Sequence, residues 1–301
     1  MITTSNQIEL RHLRYFQAVA EELNFHRAAD KLFISQPGLS RQIKQLEFYL
    51  GFPLFIRDKK SVGLTEPGVF FRKEVDVILN QIERTIEHTS YIAGGQGGAL
   101  KIGFVGSAMQ NVLPDLIIAS TRKHPQLTFS FEEMRNAMQI EMLLQSSLDL
   151  GFVRLDSVPQ ELILRPVFED TFSLVLPIDH PLTAENFCDM SQLKSASFIL
   201  FQPKYSPVYY KEVLSICEDA GFKPRISHNS VHASTIYRLV ENGLGVSIVP
   251  TSLQKGYQMN VKFIELKDIH QKARLSIVYN KNNRNPSLKL ILEIIDTVLM
   301  K

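Results

Sequence analysis

The stretch FHRAADKLFISQPGLSRQIKQL, residues 25–46, decides how the N-terminal part of this chain folds. It reads as two short helices joined by a tight turn. Ala28, Ala29 and Leu32 lie about one helical turn apart on the first helix, and small residues let a second helix approach closely. Phe33, Ile34 and Ser35 make the turn. Ser35 suits an N-cap, because its hydroxyl accepts a backbone N–H that a helix start leaves unpaired. Pro37 falls in the first turn, where its missing N–H costs little. On the second helix, Leu39, Ile43, Leu46 and Leu50 share one stripe, which is core. Ser40, Arg41 and Lys44 share another, with Gln36 and Pro37 at the exposed N-terminal end. That second stripe presents hydroxyl, guanidinium, ammonium and amide groups, the types that bond to phosphates and base edges. Arg41 suits a bidentate pair with a guanine edge and Gln36 one with an adenine edge. Charge alone favours a solvated face of an ordinary helix pair. The apolar spacing, the turn and the polar face together reverse that reading and point to a DNA-reading helix.

Working outward, Leu10, Leu13, Phe16, Ala20 and Leu23 recur at helical spacing, so residues around 10–23 form a preceding helix. Gly51-Phe52-Pro53 ends the recognition region. Residues 54–65, with Gly63 among them, read as a short hairpin, a wing. A long helix starts at Pro67. Val75, Leu79, Ile82 and Ile86 follow one another at four, three and four residues, a coiled-coil-like seam. Such a stripe either packs on its own domain or pairs with a second copy. Gly94-Gly95-Gln96-Gly97-Gly98 marks the clearest boundary. It lacks the GK[ST] of a phosphate loop and precedes a strand, so it reads as a hinge.

Beyond the hinge, strands and helices alternate. Strands are expected at residues 100–105, 127–132, 150–153, 172–176, 198–201 and 275–279, and residues 243–250 read as a turn into another strand. Helices are expected at 112–121, 139–145, 209–220, 234–242 and 288–299. This alternation argues an α/β domain with mostly parallel sheets.

At 301 residues, two or three compact units are expected. The net charge is only +2, so global charge does not announce a nucleic-acid partner. Local charge does: Arg27, Lys31, Arg41, Lys44, Arg57, Lys59 and Lys60 stand against Asp30, Glu47 and Asp58. Salt-dependent binding by counterion release would follow. The chain shows no signal peptide and no apolar run of the ~18 residues a membrane span needs. Cys188 and Cys217 lack CxxC spacing and read as reduced structural thiols of a cytoplasmic protein.

Residues 9–47, ELRHLRYFQAVAEELNFHRAADKLFISQPGLSRQIKQLE, resemble the N-terminal winged helix-turn-helix of LysR-type transcriptional regulators. The continuation GFPLFIR (51–57) and LTEPG (64–68) fits too, and the likeness covers essentially the whole chain. The resemblance implies DNA contacts for Gln36, Pro37, Ser40 and Arg41, beside which Lys44 shares the polar face, and phosphate or minor-groove contacts for Arg57 and Lys60 in the wing. It departs from many relatives at Ile56 and Gly38. It implies a DNA-binding domain over residues 1–66, a dimerisation linker helix over 67–93 and a hinge over 94–98. An effector domain like a periplasmic binding protein follows over 99–301. That domain would hold one subdomain of residues 99–169 and 273–301 and another of 170–272, with the ligand between them. The resemblance further implies an inverted-repeat operator, homo-oligomers (a dimer of dimers) and contact with RNA polymerase.

The run LKIGFVGS, residues 100–107, ends a strand and opens a helix. Backbone N–H groups there, with the Ser107 hydroxyl, suit an anion; equally, Ser107 only caps its helix. IGFVGS, Leu113-Pro114, Glu133-Met134 and GFVR (151–154) resemble the branch of the family that governs benzoate, catechol and chlorocatechol catabolism. Matching motif by motif places Ser107, Asn136, Pro207, Tyr209 and Ala233 at the effector. Asn136 replaces a threonine, Tyr209 a phenylalanine of some relatives, and Arg135 a small residue, so the effector need not be muconate or benzoate. Arg154 neighbours a second aromatic-acid site in one relative; a surface or inter-subdomain ion pair is its other reading. An enzyme is disfavoured by the absence of HExxH, GxSxG, Walker A and GxGxxG motifs, and no cofactor is implied. His228 and His232 could share a helix face, but no third ligand of metal spacing accompanies them. A transport-type small-molecule binding protein is the remaining alternative, which residues 99–301 alone would permit. The sequence thus points to a regulator that binds double-stranded DNA and responds to a small organic acid.

Overall fold

A computed structural model describes residues 7–58, 61–93, 98–256 and 258–299. The chain divides into two compact units, Met1–Thr89 with Gln145–Ser147, and Ser90–Leu144 with Leu148–Lys301.

The N-terminal unit begins with α1 (Leu10–Glu22), α2 (Phe25–Lys31) and α3 (Gln36–Leu50). Each helix start has a chemical cause. The Glu9 backbone N–H donates to His12 Nδ1 at 2.9 Å ahead of α1. Asn24 accepts from His26 and Arg27 N–H at α2, and Ser35 accepts from Gly38 N–H at α3, as its sequence suggested. Phe33 takes a left-handed φ of 54° in the turn. Ala28 and Ala29 are buried where α2 meets its neighbours, alongside Leu39, Ile43 and Leu46 of α3. The wing follows as β1 (Phe55–Arg57) paired antiparallel with β2 (Val62–Leu64). The helix α4 (Glu66–Ala93) then starts hard against the wing. Only glycine fits at position 68, because a Cβ there would come within 2.1 Å of the Leu54 carbonyl oxygen.

One expectation fails on α4. Val75 and Leu79 are buried in the core of this unit with Phe16, Leu54 and Phe55, so they do not offer a seam to a second copy. Helical periodicity marks an apolar stripe without saying what covers it. Elsewhere on α4, Ile78 is 44% exposed and Ile86 61% exposed, while Ile82 is half-buried.

The second unit has two lobes. In the first, β3 (Ala99–Phe104) leads through the single turn α5 (Gly106–Met109) to α6 (Val112–Lys123). Next come β4 (Thr128–Glu133), α7 (Asn136–Leu144), β5 (Leu150–Val153) and β6 (Leu162–Asp170). In the second lobe, β7 (Phe172–Pro177), β8 (Ser197–Phe201), α8 (Pro207–Asp219), β9 (Arg225–Ser230), α9 (Ala233–Glu241), β10 (Ser247–Pro250) and β11 (Val261–Leu266) follow in turn. The chain then re-enters the first lobe as β12 (Ala273–Asn280) and closes with α10 (Pro286–Val298).

The first sheet runs β4-β3-β5-β12-β6. Its members β3, β4 and β5 are parallel, but β12 is antiparallel to both neighbours. The second lobe carries an antiparallel sheet β10-β7-β11 and a parallel pair β8-β9. The sheets are therefore mixed rather than mostly parallel, and β6, β9 and β11 were not expected. Pro166 disguises β6 in the sequence. It is tolerated because β6 lies at the sheet edge, with Pro166 opposite Ser276 where the β12 register shifts. Leu100, Ile102, Phe152, Leu275 and Ile277 of the first sheet pack with Leu113, Leu116, Ile291 and Ile295 of α6 and α10. The two crossings lie side by side, since Asp170 at the end of β6 pairs with Ala273 at the start of β12. No helix among the described residues is long and apolar enough to cross a membrane.

Candidate nucleic-acid interface and ligand cleft

Folding turns the polar stripe of α3 outward. Pro37, Arg41 and Lys44 are exposed, and Gln36 and Ser40 half-buried, while Leu39, Ile43 and Leu46 hold the opposite side in the core. Arg41 and Lys44 form no ion pair among the described residues, so both charges stand available to an anionic partner. Arg57 is exposed but paired. Its Nη2 lies 2.6 Å from Glu47 Oε2, and its guanidinium sits 5.0 Å from the Phe25 ring centroid. Glu47 also accepts from the Leu54 and Phe55 backbone N–H groups. Arg57 therefore ties the wing to α3 and α2. Lys60 and glycines 94–97 lie outside the described residues.

Between the lobes of the second unit lies a cavity of ≈ 230 Å³. Val105, Gly106, Ser107, Glu133 and Arg154 line it from the first lobe, and Phe201, Tyr205, Ser206, Tyr209, His232, Ala233, Ser234 and Leu253 are among the residues that line it from the second. Of the residues expected at an effector, Ser107, Arg154, Tyr209 and Ala233 are brought together here. Two are not. Asn136 is buried away from the cavity, where its amide donates to the Arg154 carbonyl at 3.1 Å and accepts from the Arg154 N–H at 3.2 Å. Both halves of that amide are engaged by one extended residue, so Asn136 shapes the chain at Arg154. Pro207 opens α8 and is exposed beside Tyr210 and Lys211, facing a different groove.

Arg154 is neither a surface residue nor a free cation. It is 6% exposed. Its Nε donates to Ser107 Oγ at 3.0 Å, its Nη1 to the Ala273 carbonyl, and its Nη2 lies 3.5 Å from Asp170 Oδ2. Asp170 in turn accepts from Ser252 Oγ at 2.5 Å and from the Ser252 N–H. First lobe, crossing strands and second lobe thus meet in one buried polar chain. Burial pulls the Arg154 guanidinium down to about 10, against the opposing pull of Asp170. Burial likewise raises the Asp170 carboxyl, against the hydrogen bond from Ser252 and the charge of Arg154. Desolvation outweighs attraction on both partners, the pattern of a pair that is costly to break but weakly stabilising as a whole.

Ser107 does not cap its helix, since Val105 holds the N-cap position of the short α5. Its oxygen accepts from Arg154, which leaves its proton for the cavity. Tyr209 spends its hydroxyl on the Ile248 carbonyl at 2.5 Å, and burial pushes its phenol above the usual range. It contributes ring surface to the cavity, with no free donor. His228 lies on β9 and His232 precedes α9, so the two histidines share no helix face. No group of three or more metal-ligating side chains occurs among the described residues.

Sequence reasoning missed Glu133, Tyr205, His232 and Ser234 as cavity residues. A signal existed for Glu133. It ends β4, parallel to β3, and ligands of open α/β sheets bind beyond the carboxyl ends of parallel strands, where Ser107 also lies.

A helix-turn-helix unit joined to a two-lobed domain with a cleft lined by polar and apolar side chains defines a ligand-responsive DNA-binding regulator. Comparisons agree. Residues 10–69 match the bacterial regulatory helix-turn-helix protein, lysR family, and residues 93–299 match the LysR substrate binding domain. The chain is 35% identical over 287 residues to the HTH-type transcriptional regulator AlsR of Bacillus subtilis (strain 168), covering 95% of each chain. It is 35% identical over 288 residues to the HTH-type transcriptional regulator CatR of Pseudomonas putida, covering 96% of this chain and 98% of that one. Its fold is similar to full-length CbnR complexed with its target DNA, with a TM-score of 0.75, 27% identity and coverage of 97% and 100%. The chain belongs to the LysR family of transcriptional regulators. It is accordingly a DNA-binding regulator with an effector-binding domain, in a family of regulators rather than enzymes.

Proposed function

We propose that this regulator reads an inverted-repeat promoter site through α3 and is switched by a small carboxylate-bearing molecule in the cleft. The observation that carries the ligand reading is Ser107. Its acceptor side is occupied by the charged Arg154 Nε, so the hydroxyl proton is polarised toward the cavity and suits an acceptor such as a carboxylate. The first turn of α9, with Ala233 and Ser234, lines the opposite wall and favours negative charge there. Because Ser107 touches Arg154, and Arg154 touches both crossing strands, a ligand that repositions Ser107 biases how the lobes sit. The coupling is bounded by the ligand's differential affinity for the two arrangements. Gln36, Pro37, Ser40, Arg41 and Lys44 supply the DNA contacts. Two copies, joined along the exposed part of α4, present two recognition helices to the two half-sites. The protein works in the cytoplasm, as a dimer or dimer of dimers, in reach of RNA polymerase.

The test is binding of purified protein to a genomic fragment library, at two salt concentrations, with and without a panel of small organic acids. Discrete, salt-sensitive enrichment of inverted-repeat fragments, altered by at least one acid, supports the reading. Enrichment indifferent to every acid rejects the ligand half of it, and enrichment without sequence preference rejects the DNA half.

A further inference from the structure

We propose that Glu133 sets the ligand class of the cleft, selecting acids that also carry a hydroxyl or ammonium donor over plain carboxylic acids. This rests on the cleft reading above. Glu133 ends β4, and its carboxylate lies over the backbone at Gly106, beside Ser107. A Cβ at position 106 would stand 2.8 Å from Glu133 Oε1, so glycine is what lets the carboxylate occupy that place. Glu133 forms no ion pair among the described residues. Arg154, which lines the cavity, cannot answer it, because it is committed to Ser107, the Ala273 carbonyl and Asp170. His232 is the one other basic side chain among the described lining residues, and Arg135 is exposed and outside it. From the second lobe, Tyr205 faces the same space, its phenol held above the usual range by burial and by the charge of Glu133.

Among the described lining residues, Glu133 is thus an exposed carboxylate with no cation paired to it. Alone, that would repel any acid. A carboxylate at the Ser107 and Ser234 hydroxyls is held more tightly when the rest of the ligand answers Glu133 with a donor. Charge-assisted hydrogen bonds of this kind change affinity by roughly tenfold to a hundredfold. Plain acids leave Glu133, which is exposed, facing a second negative group with only water between. Hydroxy acids place an O–H there, and amino acids place an ammonium, which also cancels the charge.

Calorimetry on the full-length protein at fixed ionic strength tests this with two matched series. One is succinate, malate and aspartate; the other is benzoate, 3-hydroxybenzoate and 3-aminobenzoate. In at least one series the donor-bearing acid is expected to bind tenfold or more tightly than the plain one. Glu133→Gln should narrow that ratio to about twofold while plain-acid binding persists. Gly106→Ala, which displaces the carboxylate without altering Glu133, should narrow it as well. Equal affinity for plain and donor-bearing acids, or a ratio unchanged in both variants, overturns the proposal and leaves the acid-binding cleft standing. Failure of all six acids to bind overturns both.

Discussion

At the scale of single residues, two buried polar groups control this molecule in opposite ways. His12 is 1% exposed, and its Nδ1 accepts from the Glu9 N–H, so the ring must be neutral where it sits. Burial holds its pKa below the ordinary 6.5, opposed by the charge of Glu9 and aided by Arg11; the Tyr49 ring packs edge-on against it. A histidine depressed in the folded state binds protons more readily when unfolded. Its contribution is present above about pH 6.5 and is lost as pH falls toward the folded pKa. We expect amide-exchange protection across α1 and α3 of the full-length protein to weaken between pH 7 and pH 5, after correction for intrinsic exchange. His12→Gln should flatten that dependence, and an identical pH profile in the variant would remove His12 as its source. Arg154 behaves differently because it has a partner of opposite charge. Arg154→Met leaves the Asp170 carboxylate buried without compensation and should cost roughly 3–5 kcal/mol in urea unfolding. Adding Asp170→Asn should recover most of the loss, since the amide still accepts from Ser252. A double variant no more stable than the single one would mean that the packing of Arg154, not its charge, matters.

At the scale of elements, what was legible in the sequence was local. Ser35 before α3, Pro37 inside its first turn and Ala28-Ala29 on α2 fixed the helix pair, because capping and close approach act within a few residues. The long helix α4 was also legible, yet not its covering. Val75 and Leu79 carry the same signal whether they meet Phe16 or a second chain, and only the tertiary contact decides. The consequence separates folding from assembly on one helix. Val75→Asp or Leu79→Asp should unfold the N-terminal unit, at a cost of roughly 3–5 kcal/mol for a buried unpaired charge. Ile78→Glu with Ile82→Glu, elsewhere on α4, should leave helicity unchanged and shift sedimentation toward smaller species. If the Ile78/Ile82 variant sediments like the wild type, self-association runs through another surface.

At the scale of the whole molecule, legibility falls with sequence separation. Asp170 and Ala273 pair across more than a hundred residues, and Arg154 reaches the Ala273 carbonyl over a similar interval. Neither can be read from spacing, which is why Arg154 was left between two roles and Asn136 was assigned to the ligand. The same holds for β9, whose residues Arg225–Ser230 lack an apolar alternation and gain their strand geometry only beside β8. Function at this scale depends on how α3 divides its work between specificity and attraction, and that division is measurable. Arg41 has the fork geometry for a guanine edge, whereas Lys44 is a point charge one turn farther along. If Arg41 reads a base, Arg41→Ala should cost about 1–3 kcal/mol on the cognate site and relax selectivity at one position of each half-site. If Lys44 meets phosphate, Lys44→Ala should weaken cognate and scrambled duplexes alike and reduce the slope of log affinity against log salt by about one for each recognition helix bound. A dimer on a two-fold site would therefore lose about two. Titrations of both duplexes across a salt series separate the outcomes: equal effects of the two variants on both duplexes would mean that α3 only attracts DNA, and that specificity comes from the shape of the site or from the wing that Arg57 and Glu47 hold in place.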